Sequence, residues 1–199
     1  MPWIETISHA DATGTLKDAY DWQAARLGEP TEFTQLGSLY PDLVLERLRL
    51  YKVAEGAPSE LTPEERMLAA LVTSNLNGTV HCASGLVVRL DELGVAADVV
   101  RRAGKPGEAP EDAREIAGGD RRLEAILGYA AKLTSTPAAI DEADIERLRG
   151  VGLSDLDIVD LNNLVAYYNY INRVANGLGL RTPIEQRLHA VAALPAGAR

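Results

Sequence analysis

The residue best suited to chemistry in this sequence is its single cysteine, Cys82. It lies in residues 61–94, which read LTPEERMLAALVTSNLNGTVHCASGLVVRLDELG, and two helical patterns meet there at Asn77 and Gly78. Thr79 is placed to cap the second helix, so Cys82 is expected at its third position. Unpaired backbone N–H groups at a helix start favour an anion, and the thiolate is the reactive form of cysteine. The position therefore predicts a reactive thiol.

The same cysteine also fits a structural role. It lies on one helical face with other residues of small or apolar type, and a free cysteine on an apolar stripe commonly packs as a small hydrophobic residue. The residues that share this face are Thr79, Cys82, Leu86, Leu90 and Leu93. From residue type and position alone, both interpretations of Cys82 stay open.

Residues 61–94 resemble the core motif of the alkylhydroperoxidase D family, within the carboxymuconolactone decarboxylase superfamily, and its peroxidase-related branch in particular. That motif has a glutamate and then, on a helix pair, Ser-x-x-Asn-x-Cys-x-Tyr-Cys-x-x-x-His. Ser74, Asn77 and Cys82 match it. The chain departs from it where the family has the glutamate, the first cysteine, the tyrosine and the histidine, namely at Met67, Thr79, His81 and Leu86.

The resemblance extends over nearly the whole chain. The segment YYNYINRVANGLGL, residues 167–180, is similar to the peroxidase-related branch, as are ISHADATG and YPDL nearer the N-terminus. The resemblance implies an all-α, AhpD-like helical bundle that forms one domain over residues 1–199 and oligomerises.

The resemblance also implies an antioxidant oxidoreductase that reduces hydroperoxides through two cysteines three residues apart. With Thr79 at the first position, no such disulfide forms, and Cys82 acts as a single thiol. Oxidised to a sulfenic acid, it needs an external thiol reductant. The alternative is a family member without redox chemistry that serves as an oligomeric binding or interaction scaffold.

Two residues are candidates to replace the lost proton-transfer groups. Glu64 lies three residues before Met67, hence one turn earlier on the same helical face, and could transfer a proton through water. The other interpretation, which we favour, is a solvated acid in the first helical turn. His81 is adjacent to Cys82, but adjacent side chains diverge by about 100° on a helix, so we expect a partly exposed surface residue.

Composition excludes several classes of partner. The chain has 199 residues, a formal net charge of −9 and 46% hydrophobic residues. Phosphate binding needs a basic patch, and the sequence offers only short pairs such as Arg101–Arg102, so neither nucleic acid nor an anionic membrane is expected. No apolar stretch is long enough to cross a bilayer.

Cysteine and histidine content bears on compartment and cofactors. One cysteine excludes an intrachain disulfide and fits a reducing compartment, and the acidic N-terminal stretch does not read as a signal peptide, so we expect a cytoplasmic protein. His9, His81 and His189 are scattered without metal-ligand spacing, so neither a metal nor another cofactor is expected.

Helical periodicity and capping signals predict an all-α fold, since no segment alternates with period two. Residues 104–119, rich in Pro, Gly and acids, are predicted to be a surface excursion. The longest helix has apolar residues on most sides, which indicates burial in the core or against another subunit. Asn169, Asn172 and Arg173 on it could line a pocket or an interface, although we favour structural hydrogen bonds. The predicted helices span residues 14–27, 33–38, 41–55, 62–76, 79–94, 95–103, 120–133, 141–150 and 154–177.

Overall fold

The computed structural model describes residues 2–184, and over that range the chain is helical with no β-strand. The all-α prediction is confirmed. Ten α-helices follow one another, with a short 3₁₀ turn, Pro137–Ala139, after the eighth. They are α1 (Gly14–Leu27), α2 (Glu32–Gln35), α3 (Pro41–Glu55), α4 (Pro63–Leu76), α5 (Val80–Glu92), α6 (Ala97–Arg102), α7 (Ala113–Ala117), α8 (Arg121–Ser135), α9 (Glu142–Gly150) and α10 (Asp155–Gly177).

Side-chain caps fix where the central helices begin. The Oγ1 of Thr62 accepts a hydrogen bond from Glu65 N at 3.1 Å, and the Glu65 carboxylate accepts one from Thr62 N at 2.8 Å. This reciprocal pair satisfies two backbone donors that the first helical turn leaves free. Ser154 and Asp157 form the same arrangement at the start of α10.

Helix α4 occupies the centre of the core and packs against α5, α8 and α10. Every residue from Glu65 to Asn75 is buried. Removal of apolar surface from water supplies most of the stabilisation of such a core, at roughly 25 cal/mol per Å². Fully buried large side chains that belong to the same core cluster as α4 include Leu90, Ile126, Leu127, Leu161 and Leu164.

A charged pair ties α4 to α10 inside this core. The Nη1 of Arg66 donates to Asp160 Oδ1 at 3.0 Å, and its Nη2 donates to the other carboxylate oxygen. Arg66 Nη2 also donates to Ser59 Oγ at 2.8 Å. Both charged side chains are buried, so loss of either partner would leave the other charge unpaired in the core.

Helices α1 and α3 form a second layer, which contacts the core through α10. Tyr20 is fully buried between them, and its hydroxyl donates to Ile7 O at 3.0 Å. The N-terminal arm continues to the far end of α10, where Trp3 N donates to Leu178 O at 3.0 Å. The arm thus joins the two layers.

The structure corrects two details of the predicted helices. Residues 104–119 contain α7, capped by Asp112, and Ile116 of this helix is buried in the core. One inward-facing apolar residue in a segment rich in proline and glycine is too weak a periodic signal to predict a helix. The left-handed stop after α10 is Gly179, at φ +78°, and not Gly177, which is the last helical residue.

In residues 2–184, the helices lack the combination of length and apolar composition needed to cross a membrane.

Candidate functional site

A cavity of about 480 Å³ lies among α1, α3, α5 and α10 and the segment that follows α10. Its walls are largely apolar and aromatic because each of these elements contributes its inward-facing side chains. Cys82 is one of the lining residues. The other apolar contributions include Trp22, Phe33, Tyr51, Leu86, Tyr167 and Ile184.

Cys82 is the third residue of α5, as the sequence predicts, and it is half-buried on the cavity wall. Burial among these walls raises the pKa of its thiol to about 12. This shift is opposite in direction to the one expected from the helix start. Desolvation by the surrounding atoms outweighs the backbone N–H groups, so the resting residue is a protonated thiol at neutral pH.

His81 also lines the cavity, but it is buried, which corrects the expectation of a surface residue. Its Nδ1 lies 2.8 Å from the backbone oxygen of Thr182 and donates to it, while the nearest carboxylate, Glu32 Oε2, is 3.9 Å away. Burial lowers the pKa of His81. The imidazole is therefore neutral at pH 7, with its Nδ1 used to hold the chain after α10.

Glu64 and Thr79, the residue at the motif's first cysteine position, lie outside the cavity lining. Glu64 is exposed in the first turn of α4, which agrees with the solvated interpretation, and it does not line the cavity. Thr79 is completely buried, and its Oγ1 accepts from Asn176 Nδ2 at 3.0 Å without capping α5. Thr79 therefore joins α5 to α10, a structural role that residue type alone did not reveal.

The cavity wall also contains a polar cluster that no sequence motif indicates. Arg89 of α5 donates through Nη1 to both carboxylate oxygens of Glu55, at 2.8 and 2.9 Å, and the Tyr168 hydroxyl donates to Glu55 Oε1 at 2.9 Å. Burial would lower the pKa of Arg89, but the charge of Glu55 outweighs it and holds that pKa above its ordinary value. The cluster keeps one fully neutralised ion pair beside the cavity.

Burial, and then the charge of Glu55, raise the pKa of the Tyr51 and Tyr168 hydroxyls, so both remain protonated donors. The members of the cluster, Glu55, Arg89 and Tyr168, come from α3, α5 and α10, and no local spacing in the sequence connects them. The run of tyrosines near residue 167 was the one sequence signal that could have indicated an aromatic wall.

The motif residues Ser74 and Asn77 lie away from the cavity lining and serve to join α4 to α10. Ser74 Oγ and the Asn172 amide exchange hydrogen bonds of 3.3 and 3.4 Å, and Asn77 Nδ2 donates to Asn169 Oδ1 at 3.0 Å. Arg173 donates to the same Asn169 oxygen. The polar cluster of α10 is thus structural, which is the interpretation we favoured.

Over residues 2–184, no three His, Cys, Asp or Glu side chains are grouped so as to hold a metal ion. His189 lies outside the described residues.

Comparison of the sequence with known protein families and with curated proteins finds no match to either. Comparison of the structure does find matches. An uncharacterized peroxidase-related protein from Ralstonia eutropha JMP134, an alkylhydroperoxidase AhpD core, superposes with a TM-score of 0.77 at 20% identity, over 92% of this chain and 93% of that one. A peroxidase-related protein from Silicibacter sp. TM1040 gives 0.73 at 24% identity, over 86% of each chain.

A third match is a cysteine-to-alanine variant of the debrominase Bmp8 in complex with 2,3,4-tribromopyrrole. It gives a TM-score of 0.69 at 18% identity, over 87% of each chain. These likenesses span most of the chain and agree with the helix order derived above. The chain has the AhpD-like helical fold of the peroxidase-related proteins.

Proposed function

We propose that this protein binds a small organic molecule with a largely apolar body in the cavity beside Cys82. The observation that carries the proposal is the cavity itself, about 480 Å³ in volume, with mainly apolar and aromatic walls and one thiol. Ligand sites for small molecules have this size and composition, with a few polar groups that orient the ligand. The debrominase of the same fold is bound to a brominated pyrrole, a compact aromatic molecule, which supports the same class of ligand here.

A cavity-filling substitution tests the proposal. Val88→Phe places a ring in the cavity, because Val88 is a lining residue, whereas Leu93 is 49% exposed and the control Leu93→Phe adds the same ring in solvent. With the neutral fluorescent probe N-phenyl-1-naphthylamine, we expect Val88→Phe to weaken binding at least tenfold, or about 1.4 kcal/mol, and Leu93→Phe to leave it unchanged. Equal affinity of both variants and the unmodified protein, or no binding at all, would contradict the proposal.

A second candidate function is reduction of a hydroperoxide by Cys82 as a single thiol. It is favoured by the location of Cys82 on the cavity wall. In this reaction the thiolate attacks the terminal peroxide oxygen, the O–O bond breaks, and the alkoxide takes a proton and leaves as an alcohol. The resulting sulfenic acid condenses with an external thiol with loss of water, and a second thiol releases Cys82 as the thiol.

Such chemistry fits a reducing compartment, and we propose a cytoplasmic location for the protein.

The raised pKa of Cys82 weighs against rapid attack on a peroxide by the ligand-free protein. The alternative is a scaffold without redox chemistry. Peroxide consumption that Cys82→Ser abolishes would establish the enzyme, and identical behaviour of the two proteins would establish the scaffold.

We also propose that the protein self-associates. The first turns of α10 expose Leu156 and Val159 at 52% and 57%, and α3 exposes Leu50 and Val53 at 51% and 68%. Large apolar side chains exposed in groups commonly mark interfaces between proteins. Sedimentation at micromolar concentration is expected to give a mass of two or more chains, each chain being 21.4 kDa. A species of single-chain mass under those conditions would refute self-association.

A further inference from the structure

The charges around the cavity run opposite to those of the whole protein. The chain carries 29 acidic and 20 basic residues, with a formal net charge of −9. Within the described part of the chain, however, the residues that line the cavity include four cationic side chains and no carboxylate. The four are Arg26, Arg47, Lys52 and Arg89.

These four cations differ in how they are compensated. Arg89 is neutralised by its two hydrogen bonds to Glu55. Arg26 and Lys52 are exposed, so they lie at the rim of the cavity, where water screens them. Arg47 is different, because it is 5% exposed and yet, among residues 2–184, it is held by backbone carbonyls and an aromatic ring and not by a carboxylate.

The contacts of Arg47 fix its orientation but use part of its donor capacity. Its Nη2 donates to Phe33 O at 2.9 Å and to Thr34 O at 3.2 Å, and its guanidinium carbon lies 4.3 Å from the centroid of the Phe33 ring. A guanidinium has five N–H donors and stays charged in proteins. The remaining donors belong to Nε and Nη1, and the Tyr170 side chain lies close enough to engage one of them as a hydrogen-bond partner.

Arg47 is one of the residues that line the cavity. In the described residues, the fully enclosed side-chain nitrogen and oxygen atoms without a partner are Arg102 Nε and Asn176 Oδ1. Any Arg47 nitrogen that makes no hydrogen bond is therefore accessible. A buried cation without a counter-ion is costly, and an anion that enters the cavity would relieve that cost. Arg47 is thus a ready partner for a negatively charged group.

We infer that the ligand of this cavity is a small organic anion, with an apolar body against the aromatic walls and one acid group bound by Arg47. The inference rests on the proposed function and specifies its ligand. Arg26 and Lys52 at the rim attract the same charge as it enters. A carboxylate or sulfonate suits the guanidinium because its charged oxygens accept strong, charge-assisted hydrogen bonds from single N–H donors.

Two fluorescent probes that differ by one acid group test this inference. The anion is 8-anilinonaphthalene-1-sulfonate, and the neutral partner, N-phenyl-1-naphthylamine, is the same molecule without the sulfonate. We expect the unmodified protein to bind the anion at least tenfold more tightly than the neutral probe. Arg47→Gln should remove this preference and leave the affinity for the neutral probe unchanged, and Arg47→Lys should restore part of it. Arg49→Gln is the matched control, because Arg49 is exposed on the same helix and pairs with Glu46.

The outcomes separate the two proposals. Binding of the neutral probe without preference for the anion overturns the inference and leaves the proposed function standing, whereas binding of neither probe overturns both. If Arg47→Gln does not fold, because Arg47 also holds the carbonyls of Phe33 and Thr34, the double variant Arg26→Gln with Lys52→Gln replaces it. The double variant should weaken binding of the anionic probe severalfold and leave binding of the neutral probe unchanged. Equal effects on the two probes would contradict the inference.

Discussion

Asp160→Asn is expected to lower the free energy of unfolding by about 3–5 kcal/mol, the range found when one partner of a buried ion pair is removed. Asparagine has nearly the shape of aspartate, so the substitution removes the charge and leaves the packing of α10 unchanged. Arg66 would then be a buried cation opposite a neutral amide, with side-chain exposure of 7%. Ser59 would lose part of its hydrogen bonding in the same cluster, because its Oγ binds both Arg66 and Asp160.

Urea denaturation of the two proteins measures this loss directly. Asp155→Asn serves as control, since Asp155 starts the same helix but is exposed and pairs with Arg149 on the surface, where such pairs contribute about 1 kcal/mol or less. Combining Asp160→Asn with Arg66→Met should recover part of the loss, because no unpaired charge remains buried. A loss below about 1 kcal/mol from Asp160→Asn alone would show that the pair does not hold α4 against α10.

The fold was accessible to sequence reasoning wherever the determinants are local. Asp120, Asp141 and Ser154 are good N-caps, and each begins a helix at the expected position because its side chain accepts from backbone N–H groups within the next three residues. Such signals lie within a few residues of one another and need no knowledge of the rest of the chain. The one missed helix, α7, is only five residues long and has a single buried side chain, Ile116.

The site was accessible only in part, because its determinants are not local. Cys82 was identified from residue type and helix position, and the structure does place it on a cavity wall. The groups around it, however, come from elements far apart in sequence: Glu55 and Tyr168 are separated by 113 residues. Nothing in the spacing of either residue indicates the contact. The same limit explains Glu64, which position along the helix suggests as a substitute one turn before the family's glutamate at Met67 but which faces solvent.

The most direct test of function concerns the reactivity of Cys82. With a pKa near 12, its thiolate population at pH 7.5 is about a thousandfold below that of an ordinary thiol, because each unit of pKa above the pH costs a factor of ten. We therefore expect iodoacetamide to modify Cys82 roughly a thousandfold more slowly than free cysteine. The rate should rise about tenfold per pH unit up to pH 10 without a plateau.

Intact mass measures this reaction without ambiguity, because the chain has one cysteine and Cys82→Ser gives the background. Unfolding in urea removes the burial and should restore an ordinary rate, which controls for damaged protein. A plateau below pH 8.5 would show instead that the folded protein stabilises the thiolate and would remove the main argument against peroxide reduction.

The same preparation separates the two candidate functions of the cavity. The test adds a hydroperoxide with an apolar body together with a sulfenic-acid trap. If burial limits the reactivity of the Cys82 thiol, the trap should not label Cys82 within the time that free cysteine needs to react. Rapid trapping despite slow alkylation would mean that the bound hydroperoxide itself organises proton removal from Cys82, with the neutral His81 and the tyrosine hydroxyls as the adjacent groups. Absence of both reactions leaves ligand binding as the function that the geometry supports, because the cavity does not depend on the thiol.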